Sequence, residues 1–411
     1  MRTFVKRRRL SGMKHFLLMI TAVALLGCVS TPDKIPLIAL PASSDAGEWE
    51  PKKTHAIIVG VLEWKNGLAP FPKRNRKDQE LRDLLIKRGT PTENVTMLLG
   101  KEATLAKIRK AITQTLRKTS KDSTLIIYYD GHGWADRDDF CFANYDVQSG
   151  SKDTAWSMNE LAATVSREFK GARAFFWADC CYSGGLKVVV NKLASRKIAS
   201  FSLTSASTEN TSTRNWTFTQ SLLDGLAGSP LIDTNGDGLI TLGELRDEVR
   251  DAMNHMEGQK HGFKVNGLDD TFILAKASGR LPKVSGAKYH LGSYVRAKGK
   301  YGRVVGVTGD EADEYLVQFY DYTEKLVKQY AEKDLSSSTR KPRVPTGRRP
   351  QVTRMEPDCK VEWRGAWYDA KVLKKKPGYW YIHYVDDDDS WDEWVGPDRI
   401  RFKESAATGQ P

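Results

Sequence analysis

The chain has 411 residues, 40% of them hydrophobic and 28% charged, with five cysteines and a formal net charge of +13. That is an ordinary globular balance with room for two or three domains, and it excludes a disordered or low-complexity chain. The scattered cysteines exclude a disulfide framework, and residues 1–27 hold six basic residues and no acid, so the remainder is only mildly basic at +7 and gives weak grounds for an acidic partner.

The N-terminus reads as an export signal. Arg2, Lys6, Arg7, Arg8, Arg9 and Lys14 precede or border "FLLMITAVALLG", an apolar run of signal length that is short for a membrane span. Leu25-Leu26-Gly27-Cys28 resembles a bacterial lipobox, which implies cleavage after residue 27, lipidation of Cys28 and a membrane anchor. Val29 and Ser30 stand where an aspartate usually retains a lipoprotein at the inner membrane. The expected place is therefore the outer membrane of a bacterial cell envelope, facing the periplasm. Residues 28–52, rich in Pro, Ser and Ala, form the tether.

"THAIIVGV" (54–61) predicts a buried strand, and "KDQELRDLLIKRG" (77–89) a helix ended by Gly89. "NVTMLLG" (94–100) predicts a second strand. "TLAKIRKAITQTLRKTS" (104–120) carries Leu105, Ile108, Ile112 and Leu116 at helical spacing behind a Thr104 cap. "STLIIYYDGHG" (123–133) is a third strand ending in a Gly-rich turn, and "GARAFFWADCC" (171–181) a fourth. Strands alternating with amphipathic helices imply an α/β domain over 53–280, with a mostly parallel sheet flanked by helices. Ligands of such sheets bind beyond the carboxyl ends of the strands, where "DGHG" and "DCC" both lie.

Adjacent cysteines rarely pair with each other, because disulfide geometry needs more room. A thiol becomes a good nucleophile when a histidine stabilises its thiolate. His132, 49 residues before Cys181, is the candidate partner, and the backbone N–H groups of Gly133 and Cys181 are candidates for an oxyanion hole. Neighbours on a strand face opposite sides, so one cysteine reacts and the other packs. Asp179, two residues before Cys181, shares its side of the strand.

These residues resemble the caspase-fold cysteine peptidases, closest to the bacterial metacaspase-like group. "YYDGHG" matches the family's strand-then-His-Gly motif and "DCCYSGG" its Asp-x-Cys-x-Ser-Gly motif, while "SLTSASTENTS" (202–212) and "FTQSLLDGLAG" (218–228) resemble later segments. The resemblance implies Cys181 as nucleophile, His132 as base and Cys180 as a core residue. It also implies an S1 pocket for Lys or Arg built from Asp78 and Asp179, although Asp78 also reads as a charge at a helix N-terminus. Tyr182 and Trp216 depart from the family pattern. The stretch 186–200, "LKVVVNKLASRKIAS", falls where such enzymes often carry a loop that is cut or reordered; the competing reading is a plain strand with a basic tail.

"DTNGDGLITLGE" (233–244) fits an EF-hand loop with Asp233, Asn235, Asp237, the Leu239 carbonyl, Thr241 and Glu244 as Ca2+ ligands. Its alternative is a metal-free turn that caps the next helix. No organic cofactor is expected. Beyond residue 288 aromatic and β-branched segments repeat, predicting two small SH3-like β-barrels over 288–336 and 354–403, joined by a basic Pro-rich linker over 337–353. The second resembles Tudor, Agenet and chromo-barrel modules. Trp363, Trp367, Tyr368, Tyr384, Trp391 and Trp394 are candidates for an aromatic cage beside Asp386–Asp389. The alternative is that several of them form the barrel core.

The expected function is a lipid-anchored cysteine endopeptidase cutting polypeptides after Lys or Arg. Its barrels would recruit a protein, peptide or cell-wall target, and the compartment argues against nucleic acid. The competing reading is a non-catalytic adaptor in which the α/β domain is a scaffold and the barrels bind the ligand.

Overall fold

Apolar runs without polar interruption belong inside a parallel sheet, and Thr54–Gly60 and Thr124–Asp130 are buried at every position. The structure, a computed structural model, describes residues 47–136, 139–148, 151–282, 284–309, 311–320, 325–340, 357–363, 366–385 and 393–402. The signal segment, Cys28, most of the tether and the linker beyond Arg340 lie outside the described residues.

In chain order the first half runs β1 (Thr54–Gly60), α1 (Lys77–Lys87), β2 (Val95–Leu99), α2 (Leu105–Arg117), β3 (Thr124–Asp130), β4 (Gly133–Asp136), β5 (Asp139–Phe142), β6 (Trp156–Ser157) and α3 (Met158–Glu168). It continues with β7 (Arg173–Asp179), α4 (Lys187–Ala194), β8 (Ala199–Thr204), α5 (Thr217–Leu226), β9 (Leu239–Thr241), α6 (Leu242–Ala252), β10 (Gly262–Asn266) and β11 (Ile273–Lys276). Six of these strands form one sheet in the order β10-β8-β7-β3-β1-β2, parallel except for β10. Alternation along β1 sends Ile57 and Val59 into one core with Ile108, Ile112, Val165 and Val190. Ala56 and Ile58 enter the other core with Leu81, Leu85, Leu222 and Val249. Each such side chain contributes about 1.5–3 kcal/mol by leaving water. Caps set where helices start: Thr104 Oγ1 accepts from Lys107 N at 3.4 Å and Ser157 Oγ from Glu160 N at 3.1 Å.

Residues 186–200 correct both sequence readings. They are neither an exposed loop nor a strand but mainly the helix α4, whose Val189, Val190 and Leu193 are fully buried. Two positions in a row and a third three residues on make one helical face, which outweighs the β preference of the valines.

The second half holds two antiparallel sheets of five strands. The first comprises β12 (Tyr294–Ala297), β13 (Lys300–Thr308), β14 (Glu314–Tyr320), β15 (Lys325–Ala331) and β16 (Leu335–Ser337), in the order β15-β14-β13-β12-β16. The second comprises β17 (Cys359–Trp363), β18 (Ala366–Lys376), β19 (Tyr379–Tyr384), β20 (Glu393–Val395) and β21 (Ile400–Phe402), in the order β20-β19-β18-β17-β21. The order is the same, and so is a register shift in the second strand, at Val304/Gly306 and Val372/Lys374. The sequence repeat is thus a structural repeat. Each copy closes over a small core, Val295, Val304, Tyr315 and Val317 in one and Val361, Ala370, Ile382 and Val395 in the other.

Candidate active site

β3 and β7 are neighbours, and their register sets Asp130 beside Asp179 at their carboxyl ends. The residues that follow each strand therefore meet. A cavity of about 180 Å³ opens there, lined by Asp130, His132, Asp179, Cys181, Arg214 and Trp216 among others.

Cys181 leaves the strand end into a tight turn. Tyr182 has φ +56°, a left-handed conformation uncommon for a bulky residue. The thiol is partly buried, and Ser212 N donates to its Sγ at 3.3 Å. Burial pushes this thiol up, the Ser212 N–H working the other way. Cys180 faces the core and is 2% exposed. Gly133 packs on the same turn so closely that a Cβ there would meet Cys181 O at 2.4 Å and Cys180 Sγ at 2.8 Å. Only glycine fits.

His132 stands on an aromatic shelf, with ring centroids 4.5 Å from Trp64 and 4.4 Å from Phe71. Its Nε2 lies 2.9 Å from Ala69 O. A carbonyl only accepts, so Nε2 carries the proton and Nδ1 is the basic nitrogen. The Tyr129 hydroxyl donates to His132 O at 2.7 Å and fixes the turn. Burial holds the imidazole below its ordinary pKa, opposed by the Ala69 contact and aided by Arg214. The resting pair is then a neutral thiol and a neutral imidazole lining one cavity. The thiol's hydrogen-bond partner is Ser212, not His132.

The acids divide differently from expectation. Asp179 lines the cavity and accepts from Thr219 Oγ1 at 2.7 Å, and burial pushes its carboxyl up to about 6. Asp78, expected beside it, is a correction. It is fully buried, outside the cavity lining, and held by Arg76 through Nη2 at 2.5 Å and Nε at 3.0 Å. An ion pair two residues apart at the start of α1 leaves that carboxylate no room for a ligand. The second acid of the cavity is Asp130, which the sequence reading passed over. It is 2% exposed, and neither oxygen has a donor partner among the described residues. Burial first, and Asp78 next, push its carboxyl well above the usual range, with Arg76 opposing. Its place, directly before the "GHG" turn at a strand end, was the signal available. Ser212 and Arg214 were also missed; Ser212 ends the family-like segment 202–212, and Arg214 lies just beyond it.

The 233–244 loop is ordered by its own hydrogen bonds. Asp233 Oδ1 and Oδ2 accept from Gly236 N at 2.8 Å and Gly238 N at 2.9 Å. Asn235 Oδ1 accepts from Asp237 N, and Asp237 Oδ1 from Leu239 N, both at 2.8 Å. Glu244 and Thr241 close a capping box on α6. β9, which begins at Leu239, pairs with β11 where an EF-hand would pair with a second hand. No cluster of three His, Cys, Asp or Glu suited to a metal forms among the described residues.

In the second barrel Tyr384 is 4% exposed and belongs to the core, so it is no cage wall. Tyr368 is 41% exposed and meets Tyr384 edge-on. Trp367 is covered by the Arg401 guanidinium at 4.0 Å and Trp394 by Lys376 Nζ at 4.5 Å. The chain's own cations thus occupy these faces. The Trp363 side chain, Trp391 and Asp386–Asp389 lie outside the described residues.

Residues 53–273 match the caspase domain, and residues 355–402 match a module described as the RNA binding activity-knot of a chromodomain. No curated protein matches. Similar solved structures include a protein from Geobacter sulfurreducens, 17% identical, covering 56% of this chain and 100% of that one, with a TM-score of 0.37. The Drosophila initiator caspase Dronc is 10% identical over 59% of this chain and 93% of that one, with a TM-score of 0.34. Caspase-1 from Spodoptera frugiperda is 15% identical over 59% and 98%, with a TM-score of 0.37.

Proposed function

Because the chain belongs to the caspase-domain family of peptidases, we propose that it is a cysteine endopeptidase that cuts after Lys or Arg, with Cys181 as nucleophile and His132 as base. The observation that carries this reading is one cavity lined by the thiol, the imidazole and two carboxyl groups. Nδ1 of His132 takes the thiol proton as sulfur attacks the scissile carbonyl. The developing oxyanion is met by the backbone N–H groups of Gly133 and Cys181. The imidazolium then protonates the leaving amine, and water hydrolyses the thioester. Asp130 and Asp179 form a floor where a cationic side chain completes an otherwise costly pair of buried carboxyls.

The reading includes a lipid anchor at Cys28 in the outer membrane and a protein, peptide or cell-wall ligand for the second barrel. It also includes calcium on the 233–244 loop, whose oxygen donors suit that ion once Glu244 gives up its capping box. The test is a panel of fluorogenic peptides on the purified protein, with and without calcium. Hydrolysis after Lys or Arg that vanishes in Cys181→Ala and His132→Ala but persists in Cys180→Ala supports it. Preference for P1 Asp, or activity in Cys181→Ala, overturns it.

A further inference from the structure

The loop that touches Cys181 and the aromatic support of His132 is braced by a turn that the first barrel in turn holds. Ser212 N reaches the Cys181 sulfur, and the Arg214 guanidinium lies 6.0 Å from the centroid of Phe71, the ring that supports His132. This loop is gripped by the turn that follows α6. Glu257, 9% exposed, accepts from Asn215 Nδ2 at 3.2 and 3.1 Å and from the Thr217 hydroxyl. Gln259 accepts from Thr213 N at 2.8 Å and donates to Ser205 O at 2.6 Å and Ser212 Oγ at 3.2 Å. The turn itself is a π-helical segment, Met253–Glu257, ended by Gly258 at φ +66°. Such π-helical turns are rare and recur at functional sites; here the first barrel braces it.

That support comes from the first barrel. Arg340, three residues beyond β16, donates to Met256 O and, through Nη2 at 2.9 Å, to Glu257 O. Its guanidinium fills the space above Gly258, where a Cβ would meet Arg340 Nε at 2.5 Å. Tyr301 of β13 stacks under it at 4.7 Å. Ser338 Oγ meets His255 Nδ1 at 3.0 Å, and the His255 ring stacks on Tyr294 of β12 at 5.1 Å. A planar fork bridging two successive carbonyls is a fixed geometry that a lysine does not reproduce.

We propose that the first barrel is a positioning element of the peptidase: Arg340 fixes the Met256–Gly258 turn, and through Glu257 and Gln259 that turn fixes the 212–217 loop in its substrate-ready form. Arg340 is a positioning residue, and it lies near the start of the 337–353 linker between the two barrels. Losing the Arg340 contacts therefore loosens the cavity wall and reads out as substrate affinity.

The proposal rests on the peptidase reading for its kinetic consequence but not for its structural one. In the full-length protein, Arg340→Ala should speed amide hydrogen exchange across 210–217 and alter the rate at which iodoacetamide alkylates Cys181. It should raise KM for an arginine peptide about tenfold, the effect of losing a charged hydrogen bond, with kcat little changed. Glu257→Gln should do the same, and Arg340→Lys should recover only part. Should Arg340→Ala not fold, Tyr301→Leu keeps the guanidinium but removes its stacking partner and should give a smaller shift of the same sign. Exchange at 210–217 and alkylation that stay at wild-type levels in a folded Arg340 or Tyr301 variant overturn the coupling. If the wild type cleaves nothing, the peptidase reading falls alone, and exchange and alkylation still decide the coupling.

Discussion

The two barrels share a strand order and a register shift, yet they spend their charges in opposite ways. The first buries an ion pair with the peptidase domain: Arg303 Nη1 lies 2.7 Å from Glu248 of α6, both under 10% exposed, and Arg303 Nη2 donates to Leu231 O at 2.8 Å. The second carries more exposed pairs among its described residues, as with Lys360 and Asp369 at 3.2 Å and about half and a third exposed. The same frame thus serves as a fixed part of the enzyme in one copy and as a module with solvent-facing cations and aromatics in the other. Burial decides which charges hold the molecule together.

The sharpest way to break this contrast is to remove one cation from each copy. Arg303→Ala takes the guanidinium from a buried carboxylate and should cost about 3–5 kcal/mol, seen as a large drop in chemical-denaturation stability. Lys360→Ala should cost about 0–1 kcal/mol. Equal losses would erase the distinction. Next in size is truncation. A chain ending before residue 357 should keep the kcat/KM of the full protein toward short peptides, because no described residue of the second barrel lines the cavity; a marked loss would assign it a catalytic part.

A third test uses pH. Asp130 and Asp179 are held above their ordinary range by burial, Asp179 at about 6, and only their ionised forms attract a cation. The kcat/KM for a lysine or arginine peptide should therefore rise as pH climbs through about 6, more steeply than for a neutral P1 residue. The stability sign is opposite. A carboxyl whose folded pKa lies above its unfolded value stabilises the fold at low pH and loses that contribution as pH rises through the folded value. Asp179→Asn should accordingly raise Tm at pH 8 relative to wild type and change it least near pH 4. A lower Tm at pH 8 would contradict the burial argument. A further small effect belongs to the second barrel. Trp367→Ala removes an exposed cation–π contact with Arg401 and should cost about 0.5–1 kcal/mol apart from lost packing. A loss as large as that of Arg303→Ala would make this contact structural.

What could be read from the sequence follows from what periodicity encodes. The apolar runs at 54–60 and 124–130 and the spacing of Leu105, Ile108 and Ile112 gave the sheet and its helices, and the strand ends gave the meeting of "DGHG" and "DCC". α4 was missed because three successive valines favour a strand until a partner helix offers them one face. The Arg76–Asp78 pair was missed because residues two apart do not face each other on a regular helix; they meet only because Arg76 is the extended N-cap. Asp130 was missed because Asp78 and Arg76, which act on its charge, are brought beside it by the fold and leave no pattern in the chain. The cations that cover Trp367 and Trp394 come from other strands, and only the fold brings them there.

Cys359 illustrates how a packing residue can keep time. It sits fully buried in the second barrel, its thiol 3.3 Å from Ala370 O, while Cys141 and Cys180 are buried in the first domain and Cys181 alone among the described cysteines is partly open. In the native protein a thiol reagent should therefore consume one equivalent quickly at Cys181. A second equivalent at Cys359 marks each opening of a barrel whose core is only a handful of side chains. The chain thus carries its own stopwatch for the opening of that barrel.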